Sequence, residues 1–246
     1  GSEMCIRDRQ KIMSAIYKRE LNAYFTSPIA YVVYAVAALF GGMFFMGTVL
    51  APDTTDMTYV FLNMTSVVII LIPILTMRLF SEEKNKKTEQ GLLTAPVNLF
   101  QIVMGKYLAA VTVYAIMLVL FVIYGIIISF FAAPSWITII SNIIGLLLFG
   151  MALISIGTFV SSLTESQIVA AIISIGVGLL ISYMDSLASS INIDFIKTIL
   201  SAISFTTPYQ NFAVGIIKLS DVVFFLSVPV LFNFLTIRVL ERRRWN

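Results

Sequence analysis

The chain has 246 residues, 59% of them hydrophobic and 12% charged, with a mean hydropathy of +0.96 and a formal net charge of +3. A soluble domain carries about 25% charged residues, so what remains here could not cover a water-exposed surface, and the composition predicts an integral membrane protein built as one bundle. With no histidine and a single cysteine, Cys5, the commonest metal ligand, the usual general base and any internal disulfide are lost together.

Residues 1–12 do not fit the rest of the chain. GSEMCIRDR resembles translated sequencing-adapter readthrough, so Met13 is expected as the natural start and the residues before it are set aside as a non-native extension. Residues 13–25 predict a short helix lying on the membrane surface. Ser14, Lys18 and Asn22 recur every fourth residue beside Arg19, while Ile16, Tyr17, Leu21, Ala23 and Tyr24 cover most of the rest. Glu20 falls within the apolar arc, where it either needs a partner or sits at the interface.

Ser27-Pro28 opens the first span, about 28–50, since proline at a helix start costs no hydrogen bond. The second, about 58–80, carries Pro73 as an expected kink. The third, about 102–131, is longer than the ~20 residues a bilayer needs, and its first turns, holding Lys106, are expected at the interface. Ala133 to Trp136 turns the chain into the fourth span, about 137–160; Ser161 to Glu165 turns it into the fifth, about 166–184. Gly145, Gly150 and Gly157, then Gly176 and Gly178, would let these helices approach closely. Residues 185–220 are too interrupted for a clean span and predict two short re-entrant helices dipping into the outer leaflet. The last span is about 221–240, kinked near Pro229. The expected fold is therefore an all-α integral membrane protein with six transmembrane helices, an N-terminal interfacial helix and short re-entrant helices before the last span, occupying residues 13–246.

The longest polar interruption is Ser81 to Lys106. It opens on Glu82, Glu83, Lys84, Lys86, Lys87 and Glu89, passes Gly91, and turns into a short apolar piece that Pro96 stops. A plain connection needs far fewer residues, so this stretch reads either as a working cytoplasmic surface or as a solvated loop. Fourteen of the sixteen lysines and arginines fall in the N-terminal segment, around this loop and at the C-terminus, against Lys197 and Lys218 on the other side. Each basic residue gains on the order of 1 kcal/mol beside an anionic inner leaflet, so both termini are expected inside.

Chemistry is sparse. Without histidine no Ser-His-Asp arrangement can be assembled, and Gly105-Lys106 is followed by Tyr107 without the earlier glycine of a P-loop. The eleven methionines read as packing residues. No charge falls deep in a span, which counts against a self-powered carrier. Asn63, Asn142, Ser155 and Asn233 could line a polar path or simply bond helix to helix.

The order of elements resembles the permease subunits of ABC-2 type ABC transporters over nearly everything from Met13 onward. The residues that carry it are Lys18-Arg19-Glu20 with Ser27-Pro28, Arg78 to Lys84, Thr88 to Val97, Gly105-Lys106, and Phe212 to Ile217 with Asp221. Within the family the chain looks nearest the permeases grouped with gliding-motility and copper-maturation systems. The resemblance implies a non-enzymatic permease, without a cofactor of its own, in a bacterial inner membrane. ATP would be bound by a partner ATPase, the permease would pair with a second copy or a related chain in the lipid bilayer, and no nucleic acid would be involved. It makes the surface helix and the 81–100 loop the docking elements of an exporter, with Glu20, Glu82, Glu83, Lys84, Glu89 and Gly91 as ATPase-coupling residues. Glu20 is expected to brace the surface helix against Arg78 or the loop. An ATP-independent carrier or channel, and a structural membrane anchor, are the alternatives.

Overall fold

The computed structural model describes residues 2–51, 54–85, 98–189 and 203–244, and every regular element among them is helical. In chain order these are α1 (Ser2–Thr26), α2 (Pro28–Phe45) running into a π-helical turn (Met46–Leu50), α3 (Thr58–Thr76) and α4 (Arg78–Asn85). Then come α5 (Leu99–Ser129), α6 (Trp136–Leu163), α7 (Gln167–Ser182), α8 (Met184–Ser189), α9 (Thr206–Ala213) and α10 (Leu219–Arg244). Among the described residues five segments are long and apolar enough to cross a membrane: Pro28–Leu50, Thr58–Asn85, Leu99–Ser129, Trp136–Leu163 and Leu219–Arg243. The expected fifth span corresponds to the shorter apolar helix α7, whose 16 residues reach roughly 24 Å at 1.5 Å per residue.

The second span expected over 58–80 is one candidate crossing, Thr58–Asn85, which carries Pro73 inside α3 and divides at Met77, whose N–H bonds the Pro73 carbonyl at 2.8 Å. Arg78 to Phe80 therefore belong to α4. Lys106, expected in the first turns of the third span, lies two turns into α5, which begins at Leu99, and is 1% exposed, covered by groups of α1 and α4.

Helix α6 is the hub, packing on α10, α3, α5, α9, α7 and α4. Lipid supplies no hydrophobic drive between helices, so association depends on close packing and interhelical hydrogen bonds. The small residues of α6 provide both. Gly145 receives the ring of Phe212, Gly150 that of Tyr114, and Gly157 the side chain of Thr76. The expected glycine seam is thus real, but it admits side chains from α9, α5 and α3. On α7, Gly178 meets Ile69 while Gly176 faces open space. Tyrosine hydroxyls then donate to backbone carbonyls across helices: Tyr114 to Leu146 at 2.7 Å, Tyr34 to Val113 at 3.0 Å and Tyr107 to Met151 at 3.2 Å. Each places an apolar ring between helices and satisfies its polar tip on a neighbour.

Of the expected re-entrant pair, α9 is described; residues 190–202 lie outside the described residues. Helix α9 ends in a Schellman closure, with Gly215 at φ +89, its N–H on the Phe212 carbonyl and the Ile216 N–H on that of Asn211. Ser141 and Asn142 of α6 and Thr58 of α3 donate to the last carbonyls, Phe212 and Ala213. That fastens the short helix to the bundle at the end opposite α4.

Candidate functional site

Helix α1 presents the stripe the sequence predicts. Ser14, Lys18, Arg19 and Asn22 are exposed, Ile16, Tyr17 and Leu21 half-buried, and Tyr24 buried. It lies along the start of α5 because Gly105 has no side chain: a Cβ there would stand 2.9 Å from Ile16 Cγ2. Tyr17 and Thr112 share a hydrogen bond of 3.0 Å further along the same seam.

One turn beyond Ile16 is Glu20, and next to Gly105 is Lys106. Their contact is the centre of the site. Lys106 Nζ lies 3.2 Å from Glu20 Oε1 and 2.9 Å from Glu83 Oε1 on α4. It also donates to the Leu79 carbonyl at 2.8 Å and sits 5.3 Å from the centroid of the Phe80 ring. Arg19 closes the ring of charges, reaching Glu20 at 2.7 Å and Glu83 at 3.2 Å. Two cations face two carboxylates, so a lysine withdrawn from water is neutralised where it sits, the condition under which a buried charge is tolerated. Burial disfavours the ionised form of Glu20, but Lys106 and Arg19 together outweigh it and hold this carboxyl below its ordinary range. The hydrogen bond that Arg19 donates to Glu20 raises the guanidinium in turn.

Helix α4 is fixed from its other side by α6. The Ser161 hydroxyl accepts the N–H groups of Phe80 (3.1 Å) and Ser81 (3.2 Å) and donates to the Met77 carbonyl at 3.0 Å. Ser81 returns a bond to the Ser161 carbonyl at 3.0 Å. A helix start leaves its first N–H groups without partners; here a serine from another helix supplies one. Beyond it, Lys84 lies 3.5 Å from both Glu165 Oε1 and the Leu163 carbonyl. Arg78 pairs with Glu82 one turn on, at 3.3 Å, and lies over the Tyr24 ring.

The structure therefore brings Glu20 and Glu83 together and sets Glu82 and Lys84 on separate contacts of the same helix. Glu89 and Gly91 lie outside the described residues. Of the two braces expected for Glu20, Arg78 or the loop, Arg78 is taken by Glu82 at helical spacing, while Glu20 reaches Arg19 and Lys106 and through them Glu83 at the start of the 81–100 stretch. Lys106, Arg19 and Ser161 are the residues that sequence reasoning missed. For Lys106 a signal existed, a single charge inside a long apolar run that needs a counterion. For Ser161 there was none.

Of the polar residues in the spans, Asn63 bonds the Tyr59 carbonyl, Ser155 that of Ala152, and Asn142 those of Thr138 and Ala213. These are helix-stabilising bonds. Among the described residues no group of three His, Cys, Asp or Glu could hold a metal ion. What the charge cluster offers is mechanical: one tie joining α1, the short helix α4 and the start of α5.

A family model described as ABC-2 family transporter protein matches residues 13–220, from α1 to the first turn of α10. No curated protein matches the chain.

Proposed function

The chain belongs to the ABC-2 transporter family, a multi-pass permease component, and from that premise we propose that it is the membrane half of an ATP-driven exporter worked by a separate ATPase. The ATPase docks against α1 and the α4–loop region, and ATP-driven closure tilts both together. The observation that carries this reading is the Lys106 tie: because α1 and α4 share one buried cation, neither can move without the other or without the base of α5. The proposed route then runs through Ser161 and Glu165 into α6, the helix on which the rest of the bundle packs.

In this reading six segments cross the membrane, with α7 as the short fifth crossing and α8 and α9 as re-entrant elements near the outer face. Two chains pair in a bacterial inner membrane with both termini in the cytoplasm. The distribution of lysine and arginine supports that orientation, and the end bearing Lys106, Glu83 and Arg19 would then face the ATPase. Closeness to the gliding-motility and copper-maturation permeases rests on the sequence markers alone. The test is a pull-down in which the full chain captures an ATPase from its own cells, followed by Glu82→Lys. That substitution should leave insertion intact and break capture, or break the coupling of hydrolysis to transport. Purified chain that moves cargo unaided would overturn the proposal.

A further inference from the structure

At the same end of the bundle, α5, α6 and α10 enclose a cleft of about 620 Å³, open along its side and walled by apolar groups including Phe100, Met104, Met151 and Ile237. Its volume is in the range of small-molecule sites. Among the described residues one polar side chain lines it, apart from the Tyr107 hydroxyl already spent on the Met151 carbonyl. That residue is Asn233, 5% exposed, whose amide oxygen is buried without a hydrogen-bond partner among the described residues. Such an acceptor costs about 1–3 kcal/mol if left unpaired, and in a membrane segment bulk water is not there to meet it.

A second feature specifies what would. Phe234, next in the chain to Asn233, also lines the cleft, and the guanidinium of Arg238 lies over its ring at 4.9 Å. Side chains on a helix lean toward its N-terminus, so Arg238 brings its charge back one turn, over the Phe234 wall of the cleft. Its carboxylate partner, Glu241 at 2.8 Å, leaves the arginine side chain 63% exposed. The cleft thus holds a buried acceptor, and an accessible cation lies over one of its aromatic walls.

We propose that this cleft binds a single-chain anionic amphiphile whose head carries a hydrogen-bond donor next to its anion. The acyl chain lies between α5 and α10, the donor meets Asn233 and the anion meets Arg238. N-acyl amino acids and lysophospholipids share that chemistry, an N–H or hydroxyl within a few bonds of a carboxylate or phosphate. The site lies between α5 and α10, apart from the α1–α4–α5 tie, and does not depend on the ATPase reading.

The test uses N-oleoylglycine and N-oleoylsarcosine, which have the same chain and charge but differ in that the sarcosine lacks the N–H. Binding to the full chain in detergent is followed by native mass spectrometry or equilibrium dialysis. N-oleoylglycine should bind about tenfold more tightly. Asn233→Leu should abolish that preference, and Arg238→Ala should weaken both ligands. Equal affinity of wild-type protein for the two ligands would overturn the proposal whatever the variants do. So would a preference that survives Asn233→Leu in a protein of unchanged thermal stability.

Discussion

Lys106 on α5 and Glu83 on α4 meet at 2.9 Å, and the lysine is almost completely withdrawn from solvent. Because Glu20 shares the same ammonium, either carboxylate alone still leaves Lys106 one anion and the Leu79 carbonyl. Glu20→Gln and Glu83→Gln should each destabilise the protein by about 1.5–3 kcal/mol, the worth of a hydrogen bond to a charged group. Removing both strands a buried cation, a loss on the order of 3–5 kcal/mol or more. The double variant should therefore depart from the sum of the singles in a thermal-unfolding cycle, because both carboxylates act on one ammonium. Adding Lys106→Met to it should recover part of the loss. Strict additivity would show that the three groups do not act as one unit.

The same tie has a pH dependence whose sign is fixed. Glu20 titrates below its ordinary value of 4.5 in the folded protein, so between the two values the unfolded chain binds more protons than the folded one. Its contribution is complete above the ordinary value and is lost as pH falls through the lower, folded one. Wild-type protein should be more stable than Glu20→Gln at neutral pH, and the gap should close only in acid. A gap that closes on the alkaline side would contradict this.

Ser161 gives the third expectation. Its hydroxyl is the acceptor for two N–H groups at the start of α4, and Ser161→Ala leaves both buried without it. A loss of about 1–3 kcal/mol is expected, with faster hydrogen exchange confined to residues 78–85 and the facing end of α6. Uniform loosening of the whole bundle would mean that Ser161 does not hold α4 in particular.

Gly150→Ala drives a methyl group into the ring of Tyr114, and the ring cannot retreat without giving up its bond to the Leu146 carbonyl. Overpacking of this kind costs about 1–3 kcal/mol. Tyr114→Leu should relieve it in the double variant, whereas Tyr114→Phe, which keeps the ring, should not. Thermal unfolding of the four proteins decides the matter.

Much of the frame was legible in the sequence because hydropathy and helix length answer to the bilayer alone. The helices over 28–45, 136–163 and 219–244 fall close to their expected spans for that reason. Helix α1 was legible too, since its polar stripe at four-residue spacing is a local property. Contacts between distant segments were not. Glu20 needs a partner by its place in the apolar arc, but whether that is Arg78, the loop or another residue depends on how α1 lies across α5, and Gly105 decides it. The division of the second span at Met77 was not legible, because a proline announces a lost hydrogen bond without saying where the helix resumes. Ser161 looked like a turn residue, and nothing in its neighbourhood marks it as the cap of a helix some 80 positions earlier in the chain.

The last expectation separates two roles for Lys84. It lies 3.5 Å from Glu165, itself 75% exposed on its side chain, and a pair in that setting is worth under about 1 kcal/mol to stability. Any large effect of changing it must therefore act through motion or through a partner. If Lys84 serves by linking α4 to the end of α6, Lys84→Glu should impair ATP-coupled transport and Glu165→Lys should do the same. The double exchange, which restores the pair with its signs reversed, should then recover most of the activity. If instead Lys84 meets an acidic surface on the ATPase, the exchange leaves a glutamate facing that surface, and activity stays low. Capture of the ATPase by the single variants distinguishes the two independently: intact in the first case, weakened by Lys84→Glu but not by Glu165→Lys in the second. Recovery by the double exchange together with unimpaired capture is the outcome that the α4–α6 linkage requires.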